Sequence, residues 1–225
     1  MTGAMRQVIL IAAKDLRIEA RGRQTISLVI VLGILIVVVL GMGLGAGRPV
    51  SGFAATAILW VAYLFGGVLC FEKTMAVERH DDALAGLLLA PVDRGAIFAA
   101  KLLTNVLLMF SLAAVVTPVA ILLFRFDLSA HPLGFATIMA LGMVGFAAVG
   151  TLFAAAVSST RLEGGLLALL VFPLSLPVVI VSTQMMRRLF EQGEPLGSTG
   201  LATLVAFDVL FLVVSWVVFE LVLEP

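Results

Sequence analysis

The sequence predicts an all-α integral membrane protein of six transmembrane helices, on three observations. Apolar residues make up 62% of the chain and charged residues 12%, where soluble domains hold about 45–50% and about 25%. Mean hydropathy is +1.19. Six runs reach the length needed to cross a bilayer, about 20 mostly apolar residues. A 225-residue globule has no core large enough for this excess, so lipid must solvate most of it.

The runs are Thr25–Ala46, Val50–Phe71, Leu102–Phe124, Leu133–Val157, Leu166–Thr183 and Leu201–Leu223, the fifth being short. They are continuously apolar and do not alternate, which makes them helices rather than barrel strands. The first is read as a span, not a cleaved signal peptide, because it is too long and about 24 residues precede it. Its glycines Gly41, Gly43, Gly45 and Gly47 suit close helix packing. No polar stretch is long enough to fold separately, so residues 1–225 form one permease-like membrane domain. The zero formal net charge argues against a nucleic-acid partner. Cys70 is the sole cysteine, which excludes an internal disulfide and a multi-cysteine metal site.

Lys and Arg distribution sets the orientation. Ten fall in the amino-terminal segment and the second-to-third and fourth-to-fifth connections, among them Arg6, Lys14, Lys73 and Arg161. The other side holds four, Arg48, Arg125, Arg187 and Arg188. The positive-inside rule then places both termini in the cytoplasm.

Two segments outside the spans carry information. Residues 1–24 form an interfacial elbow helix, with Met5, Val8, Ile9, Ala12 and Leu16 on its apolar face. Arg6, Lys14, Arg17 and Arg21 can reach anionic headgroups from its other side. Residues 72–101 form the longest connection and read as a cytoplasmic coupling segment. Within it Asp81 and Asp82 can start a short helix over Ala83–Ala90, which Pro91 ends. Its exposed Leu84, Leu87 and Leu88 need a cover, Gly86 permits close approach of a partner backbone, and Glu78, Asp81 and Asp82 could meet basic groups on that partner.

An amphipathic start, six spans and a coupling-type helix between spans two and three resemble the ABC-2 class of exporter permeases. More narrowly, ILWVAYLFGGVL followed by EKTMAVERHDD, then LAGLLLAPVDRGAIFAAK, then GGLLALLVFPLSLPVVIVST resemble the CcmB family, heme exporter protein B of cytochrome c maturation. The resemblance covers most of the chain, although the last span matches no motif. It implies a bacterial inner-membrane complex with a separate cytoplasmic ATPase, CcmA-like, with membrane proteins CcmC-like and CcmD-like, and with a CcmE-like heme chaperone downstream. On that reading the chain is not an enzyme. It holds no intrinsic cofactor, heme is a handled or transported ligand, and ATP is bound by the partner.

GxxxxGK[ST] is absent, so any ATP hydrolysis belongs to another chain. The two histidines, His80 and His131, lie outside the spans, which excludes a membrane-buried bis-histidine heme. Met185 and Met186 near the outer side are read as packing residues. Six residues besides Asp208 are candidates for a pathway or gate. Pro173 and Pro177 should kink or open the fifth span, with Ser175 bonding freed carbonyls. Trp60, Tyr63 and Gly67 share a face of the second span. That face suits a flat apolar ligand such as porphyrin, and equally suits helix packing. Asp208 is the single carboxylate well inside a span. Unpaired, it would cost about 2.5–3.5 kcal/mol, so it should face protein or water, and Arg187 or Arg188 could partner it.

The alternatives are an ABC-2 permease exporting a lipid, glycan or drug, and a non-transporting membrane assembly factor. An intramembrane hydrolase needs a nucleophile and base meeting within the bundle, and neither histidine is there.

Overall fold

A computed structural model of the chain describes residues 2–22, 24–44, 50–79, 94–125, 128, 130–158, 165–194 and 196–222. Among these it forms seven α-helices: α1 (Thr2–Gly22), α2 (Gln24–Gly43), α3 (Gly52–Arg79), α4 (Arg94–Phe124), α5 (Pro132–Ser158), α6 (Leu166–Glu191) and α7 (Ser198–Val222). Helices α2 to α7 are each long and apolar enough to cross a membrane. The all-α fold with six spans therefore stands as the sequence predicted.

Burial sorts the six. Helix α5 is the most enclosed and α3 the next, while α2 and α7 form the rim. Helix α3 packs on α2, α4, α5 and α6, and α5 packs on α3, α4, α6 and α7. Small residues make the close approaches. A side chain on Gly142 would collide with the Trp60 ring, and one on Gly150 with the Phe71 ring. Helix packing inside a bilayer favours such sites because lipid tails are as apolar as leucine, so only tight contact holds helices together. Val31, Leu35 and Val39 of α2, and Val209, Val213 and Val217 of α7, face outward, as lipid-solvated surfaces should.

Two boundaries differ from expectation. The fifth span is not short, because α6 continues through Gln184, Arg187 and Arg188 to Glu191. The thirty-residue connection 72–101 is helical at both flanks, since α3 runs on to Arg79 and α4 already begins at Arg94. Part of each flank is covered by the bundle: Thr74, Met75, Phe98 and Lys101 are buried, while Lys73 is exposed. The elbow helix is present as α1, resting mainly on α4. Of its expected apolar face, Ala12 is buried and Val8 and Leu16 pack against the core, while Met5 and Ile9 are 66% and 57% exposed. Ile11 and Asp15 are buried as well.

Helix α6 does not open at its two prolines. It runs without interruption through Pro173 and Pro177, both on its exposed side. The carbonyls left without an amide donor are those of Leu169 and Pro173, four residues back from each proline. Ser175 Oγ instead donates to Val171 O at 2.8 Å, a carbonyl that the helix ladder already serves.

Candidate functional site

Two places in the bundle combine an unusual environment with a specific geometry, and both are built by α3, α4 and α5. The first is an apolar cleft of about 350 Å³. It lies in the half of the bundle nearest the connections before α3 and between α4 and α5. Tyr63, Thr117, Phe110, Phe135, Met139 and Met143 contribute to its wall. Phe110, Ala114, Pro118 and Ala136 are exposed at its rim, so it opens sideways between α4 and α5. Its polar feature is the Tyr63 hydroxyl, 2.6 Å from Thr117 Oγ1. Met139 and Met143 are one helical turn apart on α5 and both line the cleft. Tyrosine and methionine are among the side chains that ligate heme iron, alongside histidine and cysteine.

The second place is a buried polar chain at the opposite end. Lys101 of α4 is 1% exposed and its Nζ lies 2.8 Å from Asp15 Oδ2 of α1, itself 5% exposed. Lys14 Nζ lies 3.3 Å from the other oxygen, Asp15 Oδ1, and among the described residues neither Asp15 oxygen is met at hydrogen-bonding angles, so charge rather than a directed bond holds these contacts. Lys101 Nζ also donates to Thr74 O of α3 at 3.2 Å. Thr74 Oγ1 donates to Asn105 Oδ1 at 2.9 Å, and Asn105 Nδ2 to Thr151 Oγ1 of α5 at 2.9 Å. The same Thr74 hydroxyl is 3.0 Å from Phe71 O, and its one proton serves a single acceptor at a time. Glu19 Oε1 accepts from Ile26 N at 2.9 Å, which fixes the turn from α1 into α2.

The residues singled out from sequence fall in several places. Trp60 and Tyr63 are fully buried and meet edge to face, with centroids 6.0 Å apart. Tyr63 alone of these seven candidates lines the cleft. Gly67 is filled by Phe146 and Met109, which is close packing. Ser175 is buried within α6. The expected partners of Asp208 do not materialise. Arg187 is exposed and pairs with Glu191 at 3.8 Å. Asp208 Oδ1 is buried over Gly145 with no hydrogen-bond partner among the described residues. Trp60 Nε1 and Ser182 Oγ share that condition. His131 stacks edge-on against Phe190 at 5.9 Å. Of the coupling residues, Glu78 belongs to the last turn of α3. Asp81, Asp82, Leu84, Gly86, Leu87, Leu88 and Pro91 lie outside the described residues, as does the short helix expected over Ala83–Ala90.

Sequence reasoning missed the Asp15, Lys101 and Asn105 chain and the Met139 and Met143 pair. One signal for the first was available. Asn105 is an amide in an otherwise apolar run, and such residues mark interhelical bonding.

The CcmB protein family matches residues 6–223, which is nearly the whole chain. The chain belongs to the CcmB family. It is also similar to a protein of Paracoccus denitrificans (strain Pd 1222) named heme exporter protein B. The two are 28% identical over 183 residues, covering 81% of this chain and 84% of the relative. Family and fold together make this a multi-pass membrane subunit of the heme exporter B type.

Proposed function

We propose that this CcmB family member is the permease subunit of an ABC-type heme-handling complex in the bacterial inner membrane, with both termini cytoplasmic. A separate CcmA-like ATPase docks on the 72–101 segment and supplies the work. CcmC-like and CcmD-like membrane proteins complete the assembly, and a CcmE-like chaperone receives heme or is released once loaded. The subunit performs no chemistry of its own.

The observation that carries this reading is the lateral cleft in a chain whose curated relative is named a heme exporter. Its volume falls within the range of small-molecule sites, about 300–1,000 Å³, and its aromatic walls suit a planar apolar ring. The opening between Phe110, Ala114, Pro118 and Ala136 would admit a ligand from the bilayer rather than from water. Met139, Met143 and Tyr63 offer contacts to iron as it passes, and the isolated chain should not retain heme stoichiometrically. The same rim would equally admit an acyl chain, which keeps a lipid-exporting permease as the second reading.

Filling the cleft separates the two. Ala113→Trp and Ala136→Trp should leave the chain inserted while lowering the yield of c-type cytochrome, with lipid movement across reconstituted vesicles unchanged. Normal cytochrome yield with impaired lipid movement would select the lipid reading.

A further inference from the structure

The first turns of α4 and the last turns of α3 are not merely adjacent. They are pinned together by Lys101, whose ammonium reaches both Thr74 O of α3 and Asp15 of α1. From Thr74 the chain of bonds continues through Asn105 to Thr151 of α5. Four helices therefore meet at one buried polar point. It sits at the base of the segment between Arg79 and Arg94. Three of these helices, α3, α4 and α5, also build the cleft further along the bundle. Between the two places the contacts are large rings on small residues. Phe71 packs on Phe146 with centroids 5.1 Å apart, and Phe146 and Met109 fill the space over Gly67.

We propose that the buried Asp15–Lys101 pair is a charge clasp that transmits displacement of the 72–101 segment to the cleft, with Lys101 as a positioning residue. The inference rests on the reading that this segment receives the ATPase. Rings seated over glycines set the register of α3 against α5, and an ion pair in a low-dielectric setting adds a charge-specific hold between α1 and α4. A push on the start of α4 must then carry α1 and α3 with it or break the clasp. Either response is discrete, which is what a coupling element between two states requires. An ordinary fastener for α1 would need neither the Lys101 bond to α3 nor its placement at the base of that segment.

The test uses the full complex of this chain with its CcmA-type ATPase and membrane partners in lipid nanodiscs, with c-type cytochrome yield measured in cells. Asp15→Leu with Lys101→Met keeps side-chain volume in the interface and removes both charges together. Asp15→Lys with Lys101→Asp restores the pair in the opposite sense. In the apolar variant we expect wild-type insertion, melting temperature and ATPase binding, sustained ATP hydrolysis, and a fall of about tenfold in cytochrome yield, the size of an ordinary coupling effect. The swapped variant should recover a measurable part of that yield. Wild-type yield from the apolar variant would overturn the proposal, and so would loss of ATPase binding, which would make the pair part of the docking surface. A swapped variant that inserts but recovers nothing would overturn the role of charge. If the wild-type chain itself fails to bind the ATPase, the docking reading fails instead, which distinguishes the two.

Discussion

Replacing Asn105 by leucine removes the middle link of the buried polar chain without changing side-chain volume greatly. Asn105 is fully buried and makes two bonds of 2.9 Å, one accepted from Thr74 and one donated to Thr151. Interhelical hydrogen bonds inside membranes are worth about 0.6 kcal/mol on average and about 1.7 at most. Two of them lost give an expected destabilisation of about 1–3 kcal/mol. The lower part of that range is favoured because the Thr74 hydroxyl still has Phe71 O at 3.0 Å. Asn105→Asp should be worse, because it buries a charge that costs about 2.5–3.5 kcal/mol in a span. The assay is SDS-driven unfolding of the purified chain followed by tryptophan fluorescence, with Trp60 buried in the core as reporter. Adding Thr151→Val to Asn105→Leu should cost less than the sum of the single changes, because the second substitution removes a group already orphaned. A leucine variant as stable as wild type, or fully additive effects, would refute the claim that this chain of bonds ties α3, α4 and α5.

Reporter fusions after Gly47, Asp127 and Gly193 should read outside, and those after Arg79, Arg161 and Pro225 inside. An outside signal at Arg79 would remove the docking role of the 72–101 segment. Leu87→Asp and Gly86→Trp should leave insertion intact but abolish pull-down of the ATPase and its membrane-stimulated hydrolysis, and normal values for both would exclude that helix as the docking element. Asp208→Asn should stabilise the chain by up to about 2.5–3.5 kcal/mol in the same SDS assay, since Oδ1 is buried with no partner among the described residues. A loss of stability would mean that a partner satisfies the carboxylate.

The spans were legible because hydrophobicity over about 20 residues is a one-dimensional signal that lipid enforces on every helix. What could not be read was which face of each helix meets protein. In a bilayer both faces are apolar, so the periodicity that betrays the core of a soluble helix is absent. Helix α1 shows the consequence. Val8, Ala12 and Leu16 of its apolar face pack on the bundle, but Asp15 is buried beside them rather than Met5 and Ile9, where a lysine on α4 meets the carboxylate. Lys101 was counted from sequence only as one more inside charge, and its burial depends on an aspartate 86 positions earlier in the chain. Asp208 failed in the opposite direction. Arginines close in sequence were the obvious partners, but the extension of α6 to Glu191 gives Arg187 a carboxylate one turn away.

The arrangement of these polar groups bears on how such a subunit could move. Polar bonds between helices add a directional tie to the register that close packing sets. Helices α2 and α7, at the rim and largely lipid-facing, carry few such ties among the described residues: Ile26 N of α2 donates to Glu19 of α1 at 2.9 Å, and Ser215 of α7 donates to Ala148 O at 3.2 Å. Helices α3, α4 and α5 are tied at one end by the Lys101, Thr74, Asn105 and Thr151 bonds. At the other end the Tyr63–Thr117 contact joins only α3 to α4, and the cleft separates α4 from α5. A bundle pinned at one end and divided at the other can open by splaying α4 from α5 about the pinned end. That motion widens the cleft toward lipid while breaking no interhelical polar bond at the base, and it makes Thr117 the group whose removal should loosen the cleft without disturbing the clasp. Thr117→Val is therefore the substitution that separates the two ends. It should leave SDS stability within about 1 kcal/mol of wild type, the scale of a single membrane hydrogen bond, while changing access of lipid-soluble probes to a cysteine placed at Met139. Unchanged access would mean that the α4–α5 division is static.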